Sequence, residues 1–361
     1  MPEAAFSLSS TQIDYDIEKL FGDFRSRLIA PAIVYRVGRL FHFDDRYSNA
    51  SVAALLFGIL YGVFSLWSMS VNPSARFLDP SRALAVLIGS LSLATISTLN
   101  DNLTKRTGRI LLLHADSAET VDDMWKWVGR FLSVRRQLLF SVPTGLLAAF
   151  SVWMIHDFAS LKVRLPTCVL AFLAIGFASN GGYCALQIPT FSKVVERNKM
   201  KWKWLNPAGT PWVRTLSFGF NTLSAWEAVV GSLCMLALLR PSAVELPPVV
   251  AIFWLSITLL VVSWGFLYPQ WYLYKAISKE RARQLDELEP NLNIFAGHVL
   301  GLKEEDRKQL LLLLDLNTRL FAARDTAIDL KAVGGFVSSL VLPILTFVAG
   351  HSGLSLLRKL F

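Results

Sequence analysis

Residues 246–274 read LPPVVAIFWLSITLLVVSWGFLYPQWYLY and contain no charged side chain. A helix rises about 1.5 Å per residue, so about 20 apolar residues are needed to cross the hydrocarbon core of a bilayer. This stretch is therefore long enough to be a transmembrane helix. Six more apolar windows occur, at 47–75, 83–100, 137–156, 165–192, 215–239 and 332–357. The sequence predicts an all-α integral membrane protein, a polytopic bundle of six or seven transmembrane helices.

The composition agrees with this prediction. The chain is 53% hydrophobic and 17% charged, whereas soluble globular domains are about 45–50% apolar and about 25% charged. The net charge of +9 could indicate a nucleic-acid partner, because Lys and Arg neutralise phosphates. Basic residues also accumulate on the cytoplasmic side of membrane proteins. The distribution of charge favours the membrane interpretation, and we expect no nucleic-acid partner.

The orientation follows from the basic residues between the apolar windows. Alternate segments hold 29 and 7 of the 36 Lys and Arg residues. The segments rich in Lys and Arg are expected on the cytoplasmic side. They include the N-terminus and the stretches 101–136, 193–214 and 275–331. The predicted location is the cell membrane, most simply a bacterial inner membrane, with a cytoplasmic N-terminus.

This alternation divides the chain into eight segments. Transmembrane hairpins are predicted at 47–100, 137–192 and 215–274. The last segment, 332–361, either crosses the membrane or enters and returns, because it contains Pro343 and opens with Gly334 and Gly335. The cytoplasmic segments are an amphipathic N-terminal segment, a loop, a basic Trp-rich loop and a helical region, at 1–46, 101–136, 193–214 and 275–331.

The N-terminal segment contains one amphipathic helix. Thr11-x-x-Asp14 resembles a capping box at its start, and Pro31 is expected to end it. Such a helix lies along the membrane surface or packs on the other cytoplasmic loops. The apolar residues with helical spacing are Ile13, Ile17, Leu20, Phe21, Phe24 and Leu28.

Two helices are predicted in 275–331, at about 276–289 and 304–330, with a break at Pro290-Asn291 and Gly297. An apolar stripe on the second helix is expected to pack on the N-terminal helix, on the 101–136 loop or on another protomer, since about fifty residues cannot bury a stable core. A homo-oligomer is expected, and a partner protein at 1–46 and 275–331 is possible. The stripe consists of Leu310, Leu313, Leu314, Leu320, Phe321 and Ile328.

The loop at 193–214 interleaves basic residues with tryptophan. Lys and Trp beside a transmembrane helix are typical of an interfacial segment that binds anionic lipid head groups. The same pattern also occurs in proteins that bind single-stranded nucleic acid, but adjacency to the membrane favours lipid. The predicted head-group contacts are Lys199, Lys201, Trp202, Lys203 and Trp204, and Trp212 belongs to the same pattern.

Glu227 is the one acidic residue inside an apolar window. A charged side chain at this depth costs about 2–3 kcal/mol or more, so it normally faces a cavity or a partner. It predicts a proton- or cation-handling site, to which Asn221 and Asn180 are added as candidate pathway residues. Asn180 precedes Gly181-Gly182, which could interrupt its helix as in transporters. The alternative for Glu227 is a structural carboxyl bonded to hydroxyls of a neighbouring helix.

No catalytic motif is found. The chain lacks Gly-x-Ser-x-Gly, His-Glu-x-x-His and Gly-x-x-x-x-Gly-Lys, and Cys168, Cys184 and Cys234 have no metal-ligand spacing. We therefore predict no catalytic residue, no metal site and no cofactor. The favoured function is a channel or transporter-like protein for protons or small cations. The alternatives are a non-conducting membrane anchor or signalling component that docks a partner and, less favoured, a lipid-modifying enzyme.

Overall fold

The structure is a computed structural model that describes residues 9–28, 107–155, 161–239, 248–296, 303–323 and 330–360, together with scattered positions between 32 and 70 and residue 326. These residues are helical or form short connections, and none of them belongs to a β-strand. The all-α prediction is thus confirmed for this part of the chain. The first predicted hairpin, at 47–100, lies outside the described residues except for isolated helical positions.

The longer helices of the described residues are α1 (Ser10–Arg27), α2 (Ala118–Phe131), α3 (Val134–Ile155), α4 (Leu161–Gln187), α5 (Phe191–Arg197), α6 (Pro211–Leu239), α7 (Pro248–Ala296), α8 (Glu304–Ala322) and α9 (Leu330–Leu360). Residues 107–114 are also helical, and short 3-10 turns occupy Ile188–Thr190 and Pro207–Gly209. Helix α3 pairs with α4, α6 pairs with α7, and α9 packs against both α6 and α7.

One stretch of helix in the described part of the chain, Ile252–Phe295 within α7, is long and apolar enough to cross a membrane. A shorter apolar stretch, Ala332–Val348, lies in α9. This finding is compatible with membrane association. The number of membrane-spanning helices therefore remains a prediction.

Helix α7 is longer than the sequence pattern predicts. It has 49 residues and passes through Pro269 and Pro290 without a break, so the prediction of a helix end at Pro290 was wrong. At about 1.5 Å per residue it is roughly 70 Å long, more than twice the thickness of a hydrocarbon core. A proline removes one helical hydrogen bond, and on the N-terminal side of Pro290 the helix is held by packing, since Leu288 is buried.

The charged half of α7 shares one hydrophobic core with the segments 101–136 and 193–214. Leu273 and Ile277 of α7 pack with Leu111 and Met124 and with residues from the 193–214 segment. The loops are also joined by backbone hydrogen bonds, because the Lys201 amide donates to the His114 carbonyl at 2.7 Å. The other buried members of this core are Phe191, Val195, Met200, Ala208, Trp212, Val213, Leu216 and Phe220.

The tryptophans of the 193–214 loop have different environments. Trp212 is fully buried; its Nε1–H donates to the Lys201 carbonyl at 3.1 Å, and its ring meets Trp202 edge to face. Trp204 is 46% exposed. The prediction of an interfacial position is therefore wrong for Trp212, because its ring fills the core between the loops and α7.

Helix α1 packs on residues of the 101–136 segment, as one of the two alternatives predicted. Ile13 and Ile17 are buried against Leu112, and Leu28 joins a core that contains Val128 and Phe131. The helix ends at Arg27, before Pro31. Its N-terminal cap differs from the prediction, since the Ser9 hydroxyl, and not that of Thr11, accepts a hydrogen bond from the Gln12 amide at 3.2 Å.

Helix α8 packs on α7, a neighbour that the sequence analysis did not consider. Leu320 is fully buried, and Arg281 of α7 donates to the carbonyl of Phe321 at 2.7 Å. The helix ends at Ala322 and not near residue 330. Leu311 and Leu314 are exposed, as is the ring of Phe321. Part of the apolar surface of α8 therefore remains uncovered within the described residues.

We expect Trp212→Ala to destabilise the protein by about 3–5 kcal/mol, because it removes a buried indole from a packed core. Trp204→Ala is the matched control and should change stability by no more than about 0.5 kcal/mol, since the Trp204 ring is exposed. The measurement is the thermal unfolding midpoint of the two purified variants. Equal shifts would contradict the different burial of the two rings.

Candidate functional site

A row of polar and small residues lies along the contact between α6 and α7. At one end, the Gln270 side chain is buried and its Nε2 donates to Ser217 Oγ at 3.0 Å and to Asn221 Oδ1 at 3.2 Å. These bonds satisfy three polar side chains across the two helices. Because buried amides and hydroxyls are costly without partners, this group fixes how α6 and α7 align.

Two glycines bring the helices into close contact. A Cβ atom added at Gly231 of α6 would clash with Thr258 Cγ2 on α7. A Cβ added at Gly265 of α7 would lie 2.6 Å from Glu227 Oε2 and 2.9 Å from Ser224 Oγ. Small residues at such positions let two helix backbones approach closely. The Glu227 carboxyl group therefore occupies the space that a side chain at position 265 would need.

The carboxyl group of Glu227 is enclosed. The residue as a whole is half-buried, but both of its carboxyl oxygens are buried, and so is Ser224 Oγ. Within the described residues, none of these three oxygens has a hydrogen-bond partner. A buried polar group of this kind needs an explanation, because unsatisfied buried groups are rare in native proteins. A proton or a bound ion on the carboxyl group would supply one.

The backbone of α7 is also incomplete beside Glu227. In a helix the amide of residue 269 would donate to the carbonyl of residue 265, but residue 269 is proline and has no N–H. The Gly265 carbonyl therefore lacks its usual helical donor. Gly265 thus makes room for Glu227 and also lies in the turn of α7 that lacks one of its backbone hydrogen bonds.

No fixed counter-charge is provided by the surrounding sequence. Apart from Glu227, no Lys, Arg, Asp or Glu occurs in residues 215–239 of α6, 248–274 of α7 or 332–357 of α9. The described residues also contain no group of three His, Cys, Asp or Glu side chains that could hold a metal ion. Electrostatically, Glu227 is a lone acid on apolar helices.

Asn180 lies in a different part of the fold. Its Nδ2 donates to Gln137 Oε1 at 3.0 Å, across the contact between α4 and α3. Gln137 is fully buried, and its Nε2 donates to the Arg27 carbonyl at 3.1 Å and to that of Leu132 at 3.3 Å. This arrangement ties α1 and the end of α2 to the α3–α4 hairpin. It indicates a structural role, although Asn180 Oδ1 is left without a partner in the described residues.

Asn221 belongs to two environments. It joins the hydrogen-bonded group with Gln270, and it also lines a shallow cavity of about 330 Å³ on α6 with Thr222, Ala225, Trp226 and Val229. Glu227 does not line this cavity. The structure thus connects Asn221 with the polar row along the α6–α7 contact, while Glu227 lies in the enclosed part of that row.

The predicted lipid contacts are only partly exposed. Lys199, Lys203 and Trp204 are exposed, whereas Lys201 and Trp202 are half-buried. Head-group binding by these residues stays a prediction. The structure adds one basic residue in a similar setting: Lys275 Nζ lies over the rings of Trp271 and Tyr272, at 5.2 and 5.6 Å from their centres.

Sequence reasoning missed Gly231, Gly265 and Gln270 at the α6–α7 contact, and it also missed Gln137 beside Asn180. Gly265 stands four residues before Pro269, which marks a helical turn with a missing hydrogen bond, and this spacing could have indicated it. Gln270 and Gln137 carried no such signal, because an uncharged amide at the end of an apolar window is ordinary. Their partners are distant in the sequence.

We expect Gly265→Ala to destabilise the protein by about 1–3 kcal/mol, because the added methyl group would press on Glu227 and Ser224. Gly334→Ala in α9 is the control, since a Cβ there meets nothing within 4 Å, and its effect should be neutral or stabilising by up to about 1 kcal/mol. Thermal unfolding of the purified variants measures both.

A double variant tests the assigned contact. Combining Gly265→Ala with Glu227→Ala should cost less than the sum of the two single substitutions, because the second removes the group that the new methyl would strike. Additive effects would show that the close approach between Gly265 and Glu227 is absent.

Comparison with known proteins gives no functional assignment. No protein-family model, no curated protein and no solved structure matches this chain. What the protein does is therefore inferred from the chemistry and geometry of its own residues.

Proposed function

We propose that the chain is a polytopic membrane protein with six or seven transmembrane helices. Besides the sequence pattern, this is supported by the apolar surfaces of its long helices. Exposed aliphatic and aromatic residues follow helical spacing on α3, α7 and α9, where a soluble protein would carry polar groups. Examples are Leu139, Leu146 and Phe150 on α3, Leu260 and Leu267 on α7, and Val337, Val341 and Leu345 on α9.

In this arrangement α7 runs from the bilayer into a cytoplasmic layer. Its apolar half ends near Tyr274, and its charged half packs with the two loops that are rich in Lys and Arg. Anionic lipids are the expected contacts of Lys199, Lys203 and Trp204 at the edge of this layer. A homo-oligomer is also proposed, because part of the apolar face of α8 is uncovered.

Single-cysteine labelling tests the topology. In a variant without Cys168, Cys184 and Cys234, we expect Lys203→Cys and Lys308→Cys to react with a membrane-impermeant maleimide only after cell lysis. Ser242→Cys, between the fifth and sixth predicted spans, should react in intact cells, because it lies in a short outer loop. Labelling of position 203 in intact cells would contradict the orientation.

The proposed function is the transfer of protons or small cations through the helical bundle, with Glu227 on the pathway. The observation that carries this proposal is the buried carboxyl group whose two oxygens have no partner in the described residues. An ionisable residue at membrane depth is costly and usually marks an ion or proton pathway. The polar row of Ser217, Asn221, Ser224 and Gln270 supplies further groups on the side of Glu227 toward the cytoplasm.

Ion flux into proteoliposomes tests this function. We expect the purified wild-type protein to conduct and Glu227→Gln to reduce flux to the level of protein-free liposomes, because the amide cannot gain or lose a proton and has no charge. Glu289→Gln is the control, since it changes an exposed carboxyl group at the cytoplasmic end of α7. Equal flux for all three proteins would remove Glu227 from the pathway.

The second candidate function is that of a non-conducting anchor or signalling component. The uncovered face of α8, with Leu311, Leu314 and Phe321, favours it, since exposed apolar patches often mark interaction sites. A wild-type protein that conducts no ion would favour this candidate. The docking interpretation would then predict that Leu314→Glu weakens recovery of a partner with the full-length protein, while leaving its unfolding midpoint unchanged.

A further inference from the structure

We propose that the ion handled at Glu227 is the proton and that the site excludes metal cations. This inference rests on the proposed function and narrows it to one ligand. It starts from the geometry of Glu227, Ser224 and Gly265. Three properties of that geometry lead to it: the missing counter-charge, the number of oxygens and the available space.

The first property is the missing counter-charge. The apolar stretches of α6, α7 and α9 carry no Lys or Arg that could balance a carboxylate. An isolated charge in a medium of low dielectric constant costs far more than a neutral carboxylic acid, so Glu227 carries a proton when its helices are packed. The other titratable side chains on these stretches and on α4 are the cations Lys162 and Arg164 in the first turn of α4, together with phenols, thiols and one imidazole: Tyr183, Tyr268, Tyr272, Tyr274, Cys168, Cys184, Cys234 and His351.

The second property is the number of oxygen ligands. Divalent cations such as Ca²⁺ take six to eight oxygens, and Mg²⁺ keeps a near-octahedral shell with several waters. The site offers the two oxygens of Glu227 and the hydroxyl of Ser224, and the Gly265 carbonyl, which lacks its helical donor because residue 269 is proline, adds a fourth oxygen. Asn221 Oδ1 is already engaged by Gln270 at 3.2 Å. The described site is thus too poor in ligands for a metal cation, whereas a proton needs one oxygen.

The third property is space. Glu227 Oε2 lies only 2.6 Å from the position that a Cβ atom would take on Gly265, and Ser224 Oγ lies 2.9 Å from it. The gap left by the glycine is filled by the carboxyl group itself. A hydrated cation would have to separate α6 from α7, which the glycine contacts hold together. A proton changes the volume of the site very little.

The proton transfer is chemically simple. A hydronium ion on one side of the membrane gives a proton to the Glu227 carboxylate, which forms the carboxylic acid and leaves a water molecule. The acid later gives that proton to a water molecule on the other side, which forms hydronium and restores the carboxylate, so only O–H bonds are made and broken. Ser217, which bonds with Gln270, stands ten residues before Glu227, or about 15 Å along α6. The row of polar groups therefore marks the cytoplasmic branch of the path.

Parallel flux assays test the proposal. Liposomes of phosphatidylethanolamine and phosphatidylglycerol are loaded with a pH-sensitive dye, and proton entry is driven by a potassium gradient with valinomycin. Separate preparations follow Na⁺, Rb⁺ and Mg²⁺ uptake. We expect proton flux for the wild type and for Glu227→Asp, loss of that flux for Glu227→Gln, and no uptake of the metal cations above protein-free liposomes.

The outcomes separate this inference from the proposed function. Metal-cation uptake that disappears in Glu227→Gln would leave the proposed function standing and overturn the proton inference. Flux of no ion, or flux that is equal in wild type and Glu227→Gln, would overturn both. Infrared spectroscopy gives a second readout, because a protonated carboxyl group has its own carbonyl band. We expect this band in the wild type at neutral pH and not in Glu227→Gln, and its absence from both would overturn the proton inference.

Discussion

The close contact between α6 and α7 is the constraint on which the rest of the structure depends. Gly231 and Gly265 allow it, since each leaves space for a side chain of the other helix, and Gln270 fixes its alignment through Ser217 and Asn221. Helix α9 then packs on this pair. Because α7 is one continuous helix of 49 residues, its contact with α6 also determines the position of its charged half. The apolar helices and the core that contains Trp212 are joined by one continuous helix.

That contact explains how a lone acid is kept between packed helices. Glu227 has no counter-charge on the apolar stretches around it, and burying it costs free energy that the glycine-mediated packing must offset. Ser224 shares the same enclosed space, and Pro269 removes the amide that would occupy the Gly265 carbonyl. The buried acid and the missing hydrogen bond both lower the local stability of the fold at this site. Such places are where function is expected, because a sequence shaped only by stability would put an apolar residue there.

The segments 107–131 and 193–214 are parts of one folded layer. Trp212 fills its centre, and Gln284 of α7 accepts a hydrogen bond from the Leu205 amide at 3.2 Å, so the loop at 193–214 is fixed to the charged half of α7. Gln137 and Asn180 tie α1 and α2 to the α3–α4 hairpin in the same way. A movement of the α6–α7 pair would therefore also displace this layer, since α7 is part of both.

The sequence by itself determined the all-helical class, the amphipathic face of α1 and the isolation of Glu227 among apolar residues, because each depends on periodicity or on one charge in an apolar window. The role of Glu227 stays a proposal. The tertiary structure decided the rest. In the structure Trp212 lies in a core, α7 continues through Pro290 and α8 packs on α7. The Asn180 side chain donates a hydrogen bond to Gln137. These outcomes depend on partners far away in the chain. Local propensity cannot specify such partners, since only packing decides which surfaces meet.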